Sequence, residues 1–321
     1  MAIQNSLAPK KNTKTDLVAY LSRDAVKNQI NTVIGGKNGQ RFISAIVSAV
    51  NNNAVLAECS NASILSAALL GDSLKLSPSP QLGQYYMVPF NDKEKGKVAQ
   101  FQLGYKGYIQ LALRSGQYKK LNVLSIKEGE LIRFDPLNEE IEVQFIEDEE
   151  IRETAKTIGY YAMFEYNNGF RKAMYWSKKK MLAHADKYSA AFSSKETVVT
   201  TKRGQTYRKV SFEDYENGNY PEKDAWMYSS FWYKDFDGMA YKTMLRQLIS
   251  KWGIMSIDMI SAMDADMAVI NEDGTKSYVE TDPENEVPAE YKEVNEEPKV
   301  SLPQANPVAS EDDYGQQTFF S

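Results

Sequence analysis

The stretch FQLGYKGYIQLALRSGQY, residues 101–118, changes at Gly107 from the apolar period of a strand to that of a helix. Before Gly107 every second residue is apolar, as in a half-buried strand. After it the apolar residues gather on one side of a helix, and a polar stripe runs beside them at spacings of four: Lys106, Gln110 and Arg114. A strand that feeds directly into a helix requires both kinds of element to pack around one core.

The same mixture of short strands and helices continues along the chain. Apolar runs at 84–90 and 98–105 flank a polar, glycine-containing turn and predict a β-hairpin, and a second hairpin is predicted around the turn at 167–169. Apolar and polar patterns predict helices over about 41–52, 61–70, 106–116, 177–189 and 235–252. Because hairpins and helices follow in no strict βαβ order, we predict an α+β fold, a small antiparallel sheet of hairpins packed with helices.

Charge divides the chain into a basic body and an acidic tail. The net charge is −5, yet residues 264–321 hold fifteen acidic residues and three lysines, a net −12, which leaves +7 on residues 1–263. This layout is typical of nucleic-acid binders, although a solvated surface with a solubility tail explains it equally well.

Composition also suggests three parts of the chain. We predict a partly helical N-terminal segment over 1–40, which could contact a second subunit, and a core over 41–265. Residues 266–321 are acidic and contain proline and little apolar surface, so we expect them to be largely disordered.

Several classes of protein are disfavoured by what the sequence lacks. No apolar run approaches the roughly eighteen residues of a membrane helix, and the polar start has no secretory apolar region. With Cys59 alone, no intrachain disulfide can form, so we expect a cytoplasmic protein without a membrane partner and a buried Cys59 thiol. His184 is the one histidine, which excludes histidine-rich metal sites, and no glycine-rich phosphate loop is present, so ATP use is not expected.

Cationic residues recur beside aromatic residues, the combination with which single-strand binders hold phosphates and bases. On the helix over 235–252, Lys242 and Arg246 lie four residues apart, a spacing at which like charges repel by about a few tenths of a kcal/mol. We therefore expect an anion opposite them, either a DNA phosphate or an acidic side chain from Asp235, Asp237 or another element. The predicted DNA contacts are Tyr105, Lys106, Tyr108, Arg114, Lys119, Lys120, Arg171, Lys172, Lys178, Lys179, Lys180, Arg203, Arg208, Lys234, Lys242 and Arg246.

Two other functions stay open on the residues alone. The acidic residues over 138–150 could hold metal ions for a nuclease or another DNA-processing enzyme, although a solvated strand edge explains them more simply. A scaffold without a DNA partner is the third reading.

Three segments carry a family resemblance. LAECSNASILSAALLGDSLKLSPSPQLGQYYMVPF, FQLGYKGYIQLALRSGQ and FWYKDFDGMAYKTMLRQLISKW follow in this order within residues 54–253. Together they resemble the RecT family of phage single-strand annealing proteins.

The resemblance implies a recombination protein without enzymatic activity. It implies ATP-independent annealing of complementary strands, with the strand held in a basic groove shared along a ring or helical filament of subunits. No cofactor is expected, and Mg²⁺ is left as an optional aid to annealing. The implied partners are single-stranded DNA, the annealed duplex, further copies of the chain, a phage exonuclease and the single-stranded DNA-binding protein of the bacterial host.

Overall fold

A computed structural model describes residues 13–35, 38–92, 94–189, 191–200 and 204–278. The α-helices are α1 (Thr13–Leu21), α2 (Asp24–Ile34), α3 (Gly39–Asn51), α4 (Asn61–Ser73), α5 (Tyr105–Arg114), α6 (Glu149–Thr154), α7 (Lys178–Tyr188), α8 (Phe212–Glu216), α9 (Phe231–Lys234), α10 (Phe236–Trp252) and α11 (Ile257–Ala265). Short 3₁₀ helices cover Leu56–Glu58 and Glu222–Tyr228. The strands are β1 (Tyr85–Asp92), β2 (Gly96–Leu103), β3 (Tyr118–Lys127), β4 (Leu131–Asp135), β5 (Glu140–Val143), β6 (Thr157–Tyr166), β7 (Arg171–Ser177), β8 (Thr197–Thr200), β9 (Thr206–Lys209), β10 (Ala268–Ile270) and β11 (Lys276–Tyr278).

The strands form two main sheets and two separate hairpins. Sheet A has the order β1-β2-β10-β11, sheet B has the order β3-β6-β7, and β4–β5 and β8–β9 pair only with each other. Each pairing is antiparallel. Both predicted hairpins are present, as β1–β2 and as β6–β7 with residues 167–169 between its strands. The predicted α+β class is therefore confirmed.

Sheet A buries one face in the main core and turns the other toward helices α9 and α10. Its inner face carries Tyr85, Met87, Phe101 and Leu103, each at most 4% exposed, and α4 packs against it. The outer face carries the alternate residues of the same strands, because successive side chains of a strand point to opposite faces. On that outer face Gln100 of β2 lies between Val88 of β1 and Val269 of β10.

The strand-to-helix corner after β2 depends on two glycines. A Cβ on Gly104 would lie 2.1 Å from the carbonyl oxygen of Gly83, and one on Gly107 would lie 2.1 Å from that of Gln84. These glycines therefore let the start of α5 lie against the backbone that precedes β1. The change from strand to helix period at Gly107 in the sequence thus coincides with the point where α5 contacts the backbone before β1.

Helix α10 begins and ends at positions that the sequence indicates. The Asp235 carboxylate accepts a hydrogen bond from the Gly238 amide at 2.9 Å and caps the helix start. Gly253 follows the last turn in an extended conformation, with φ −86°. A Cβ there would lie 2.6 Å from the Ile249 carbonyl oxygen, so close packing explains this glycine better than a left-handed cap.

The first and last described elements belong to the same fold as the central ones. Leu17, Leu21 and Ile30 of the N-terminal helices are buried in the main core. At the other end, β10 pairs with β2, although composition predicts that the disordered tail begins at residue 266. The apolar triplet Ala268–Ile270 is too short to alter the acidic composition of that region, and this is why composition misplaces the boundary. Residues 279–321 lie outside the described residues.

Two further sequence expectations concern burial. Cys59 is 5% exposed, as predicted, and burial raises the pKa of its thiol to about 12. In the described ranges no helix combines the length and the apolar character needed to cross a membrane.

Candidate nucleic-acid interface

A groove with a volume of about 410 Å³ lies between the outer face of sheet A and helices α7, α9 and α10. Strand residues such as Val88, Gln100 and Gln102 form one side of it, and α10 contributes Lys242 and Arg246 to the other. A smaller cavity shares four of its lining residues and extends the groove toward α5: Gln102, Phe231, Met239 and Lys242. The interface is therefore built from elements that are distant in sequence.

The two cations of α10 meet one buried carboxylate. Lys242 Nζ lies 2.8 Å from Asp266 Oδ1, and the Arg246 guanidinium lies 2.8 Å from Asp266 Oδ2. The Leu103 amide also donates to Asp266, at 2.9 Å. An acidic side chain from another element thus lies opposite the pair, which was one of the two alternatives that the sequence left open.

Exposure separates the roles of these two cations. The side chain of Lys242 is 10% exposed and that of Asp266 is 1% exposed, whereas that of Arg246 is 41% exposed. Two cations and one carboxylate leave a net charge of +1, and Arg246 presents it to the groove.

Helix α7 and the end of β7 carry a row of three aromatic rings with a lysine at each end, and two of these rings reach the groove. Lys180 Nζ lies 4.3 Å from the ring centroid of Trp176, whose ring lies 5.4 Å from that of His184. The His184 ring lies 4.5 Å from that of Tyr188, and Lys187 Nζ lies 5.2 Å from the Tyr188 centroid. His184 and Tyr188 line the groove, and Tyr188 is 60% exposed. We call these five residues, four from α7 and Trp176 from the end of β7, the α7 row.

The start of α7 is fixed by Ser177, whose hydroxyl accepts a hydrogen bond from the Lys180 amide at 3.3 Å. The spacing of the row follows from this start, because residues three or four apart share one face of a helix. Burial and the neighbouring charge of Lys187 lower the pKa of His184.

The α5 candidates divide between groove and core. Tyr105 lines the smaller cavity and packs edge-on against Tyr241, with ring centroids 5.5 Å apart, and Lys106 beside it is exposed. Tyr108 is 0% exposed, so its ring is part of the core. The Arg114 guanidinium donates to the carbonyl oxygens of Leu74 at 2.7 Å and Lys75 at 3.4 Å and so holds the end of α4.

The candidates on sheet B do not line the groove and have partners of their own. Lys119 and Lys120 lie 2.6 Å and 3.7 Å from the carboxylate of Glu165. Arg171 donates to the Tyr161 hydroxyl at 3.4 Å. Lys172 pairs with Glu139, and its Nζ lies 3.9 Å from the ring centroid of Trp252.

The remaining candidates are spread over other elements. Lys178 Nζ lies 2.9 Å from Glu216, and the guanidinium of Arg208 makes two contacts with Glu196, at 2.8 Å and 2.7 Å. Lys179 and Lys234 are exposed, and Lys179 makes no ion pair with a described residue. Arg203 lies outside the described residues. Of the predicted contacts, Lys242 and Arg246 line the groove and Tyr105 lines the smaller cavity, whereas Lys106 and Lys180 lie beside the rings of Tyr105 and Trp176.

Sequence reasoning missed several groove residues. Gln100 and Gln102 point to the outer face because they alternate with buried Phe101 and Leu103, a signal that the strand period contained. Asp266 could not be found in this way, because it is separated from Lys242 by 24 residues and by α11.

Two of the acidic residues over 138–150 make contacts within the fold. Glu139 pairs with Lys172 and accepts a hydrogen bond from the Ala173 amide, and Asp148 caps α6. Within the described ranges no group of three or more His, Cys, Asp or Glu residues is arranged to hold a metal ion. Nothing supports the nuclease alternative.

Comparisons with known proteins place the groove in a family context. Residues 40–285 match the sequence profile of the RecT family, and this span contains the groove and the α7 row. The chain is 36% identical over 291 residues to the uncharacterized protein YqaK of Bacillus subtilis strain 168, covering 89% of this chain and 84% of YqaK. It is 29% identical over 136 residues to protein RecT of Escherichia coli K12, covering 41% of this chain and 51% of that protein. The chain belongs to the RecT family.

Proposed function

We propose that the chain is an ATP-independent single-stranded DNA-binding protein that anneals complementary strands in phage homologous recombination. Membership of the RecT family supports a single-strand annealing role in recombination. The observation that carries the proposal is the groove, which Arg246 lines together with the His184 and Tyr188 rings of the α7 row, inside the span that matches the family.

The groove offers the two kinds of contact that sequence-independent binding of a single strand needs. Cations neutralise phosphates, and rings such as Tyr188 accept the faces of bases, whichever base is present. Neutralised phosphates no longer repel a second strand, so base edges that face outward can test it for complementarity. Correct pairing then supplies about 1.4 kcal/mol per step from stacking. Annealing therefore requires positioning of the strand and no bond-making residue.

A strand longer than one groove needs several subunits. We propose that copies of the chain assemble into a ring or helical filament with a continuous groove, and that each added subunit binds cooperatively. The proposed partners include a phage exonuclease that produces single-stranded ends and the host single-stranded DNA-binding protein. The proposed location is the cytoplasm of the bacterial host, and Mg²⁺ assists without being a catalyst.

The test is an annealing assay with two complementary oligonucleotides that carry a donor and an acceptor dye. Without nucleotide, the full chain should raise the rate of energy transfer well above the protein-free rate, with and without Mg²⁺. Adding ATP or a non-hydrolysable analogue should leave the rate unchanged. The same samples, separated on a denaturing gel, should contain strands of full length. Shortened strands in Mg²⁺ would indicate a nuclease, and a failure to retain the strands would indicate a scaffold.

A further inference from the structure

The polar group at the base of the groove is an amide that is almost completely buried. Gln100 lines the groove, and only 3% of its surface is exposed. Its Oε1 accepts a hydrogen bond from Gln102 Nε2 at 3.3 Å, but its own Nε2 has no hydrogen-bond partner among the described residues. This nitrogen keeps access to the groove, so it can donate a hydrogen bond to a ligand that carries an acceptor there.

The surroundings of Gln100 are suited to a flat, uncharged ring. Val88, Phe90, Phe231 and Met239 contribute apolar surface to the same groove. Its volume of about 410 Å³ falls in the range of sites that enclose small organic groups. A phosphate would find little charge at this depth, because Asp266 already pairs with the buried Lys242.

The mouth of the groove has a different character. Arg246 is 41% exposed and carries the net positive charge of the cluster that it forms with Lys242 and Asp266. A ligand that fits both regions has an aromatic ring with hydrogen-bonding edges and a phosphate a short distance away.

We propose that this part of the groove is a subsite that takes one unstacked nucleobase of the bound single strand. The base edge bonds to the Gln100 and Gln102 amides, and the adjoining phosphate contacts Arg246. The inference rests on the proposed function, because it requires that single-stranded DNA occupy the groove.

The amides also explain how such a subsite would accept any base. A carboxamide offers both donors and an acceptor, and every base edge carries at least one complementary group. Gln100 and Gln102 can therefore bond to each of the four bases, as sequence-independent binding of a single strand demands, while the neighbouring bases keep their edges free for pairing.

Two variants of the full chain test the subsite. Gln100→Leu removes the amide at nearly constant volume. Val88→Phe places a larger side chain in the groove from β1, the strand that pairs with β2. Gln144→Leu is the matched control, because Gln144 is exposed and does not line the groove. Circular dichroism and thermal melting establish that each variant is folded.

The first measurement compares two labelled strands of equal length, an oligothymidylate and a strand of abasic residues, by fluorescence anisotropy at one salt concentration. The wild type should bind the base-bearing strand at least about tenfold more tightly. Gln100→Leu and Val88→Phe should lose most of that preference while binding the abasic strand as the wild type does. Gln144→Leu should behave as the wild type.

The second measurement places single 2-aminopurines in oligothymidylate and records quenching by acrylamide. A base inside the cavity should be shielded from acrylamide in the wild type and accessible in Val88→Phe. If both groove variants keep the wild-type preference and shielding, no base enters the cavity and the inference is overturned. A wild type that binds both strands equally overturns the subsite alone, whereas one that binds neither overturns the proposed function as well.

Discussion

Lys242 Nζ lies 2.8 Å from Asp266 Oδ1, although sequence composition assigns the two residues to different parts of the chain. Lys242 belongs to α10, and Asp266 lies two residues before β10, the strand that joins β2 in sheet A. The contact connects the cationic wall of the groove to the end of the described fold. Stability and DNA binding should therefore depend on the same carboxylate.

The first prediction concerns that carboxylate. Asp266→Asn should lower the free energy of unfolding by about 3 kcal/mol, because it leaves a buried lysine without its counter-ion. Urea denaturation followed by circular dichroism measures the change. Asp264→Asn is the control, since the Asp264–Lys276 pair is more exposed and should contribute less than about 1 kcal/mol. Equal midpoints for the two variants would contradict the assigned role of Asp266.

The two cations of α10 should respond differently to removal. Lys242→Ala leaves the buried Asp266 with Arg246 as its one cationic partner and should cost about 2–3 kcal/mol of stability. Arg246→Ala should cost about 1 kcal/mol, because Lys242 still compensates the carboxylate. Only Arg246→Ala is thus a clean probe of DNA binding, and it should make the salt dependence of affinity shallower by about 0.7 in log–log slope. An unchanged slope would show that Arg246 does not contact phosphate.

The lysines of the α7 row should contribute to the salt dependence of single-strand affinity. Lys180→Ala combined with Lys187→Ala should weaken binding to single strands and reduce the salt slope by about 1.4, two phosphate contacts at about 0.7 each. Anisotropy titrations at four salt concentrations measure the slope. Lys27→Ala on α2, where Lys27 is exposed and does not line the groove, should leave it unchanged.

His184 should make stability depend on pH. Its pKa is lowered by burial and by Lys187, so the unfolded chain takes up this proton more readily than the folded one. The resulting stability is fully present above the unfolded pKa of about 6.5 and is lost as pH falls through the folded pKa. Between pH 8 and pH 5, the melting temperature of the wild type should fall further than that of His184→Gln. Equal decreases in melting temperature for the wild type and His184→Gln would contradict the prediction.

The end of the fold can be tested by truncation. A chain that stops after residue 278 keeps β10, β11 and Asp266 and loses a segment of net charge −9, so it should fold and bind single strands as well as the full chain or slightly more tightly. A chain that stops after residue 265 should be poorly soluble or unstable, because it lacks the counter-ion of Lys242 and two strands of sheet A, β10 and β11. Solubility, melting curves and gel shifts compare the two. If the two truncated chains were equally soluble, stable and able to bind DNA, the folded region would end at residue 265.

Local patterns predicted the elements better than the interface. The hairpins β1–β2 and β6–β7 and the helix α10 follow from turn residues and from apolar periods within a few residues. Period alone did not separate Tyr105, at the groove, from Tyr108, in the core, because the elements that pack on α5 decide which side of the helix is covered.

The long-range partners lay beyond sequence reasoning for a different reason. Nothing near Arg114 indicates that its guanidinium would bind the carbonyl oxygens at the end of α4. Likewise, several surface acids could have compensated Lys242, and only the packing of β10 on β2 selects Asp266.

The position of Asp266 also has a consequence for synthesis on the ribosome. Sheet A joins β1 and β2 to a strand made more than 160 residues later, as the contact of Leu103 with Asp266 across 163 residues shows. A nascent chain that already contains β1, β2 and α10 still lacks the carboxylate that fixes Lys242 and Arg246. The groove can therefore form only when the folded region is almost fully translated, and products of early termination would not present it.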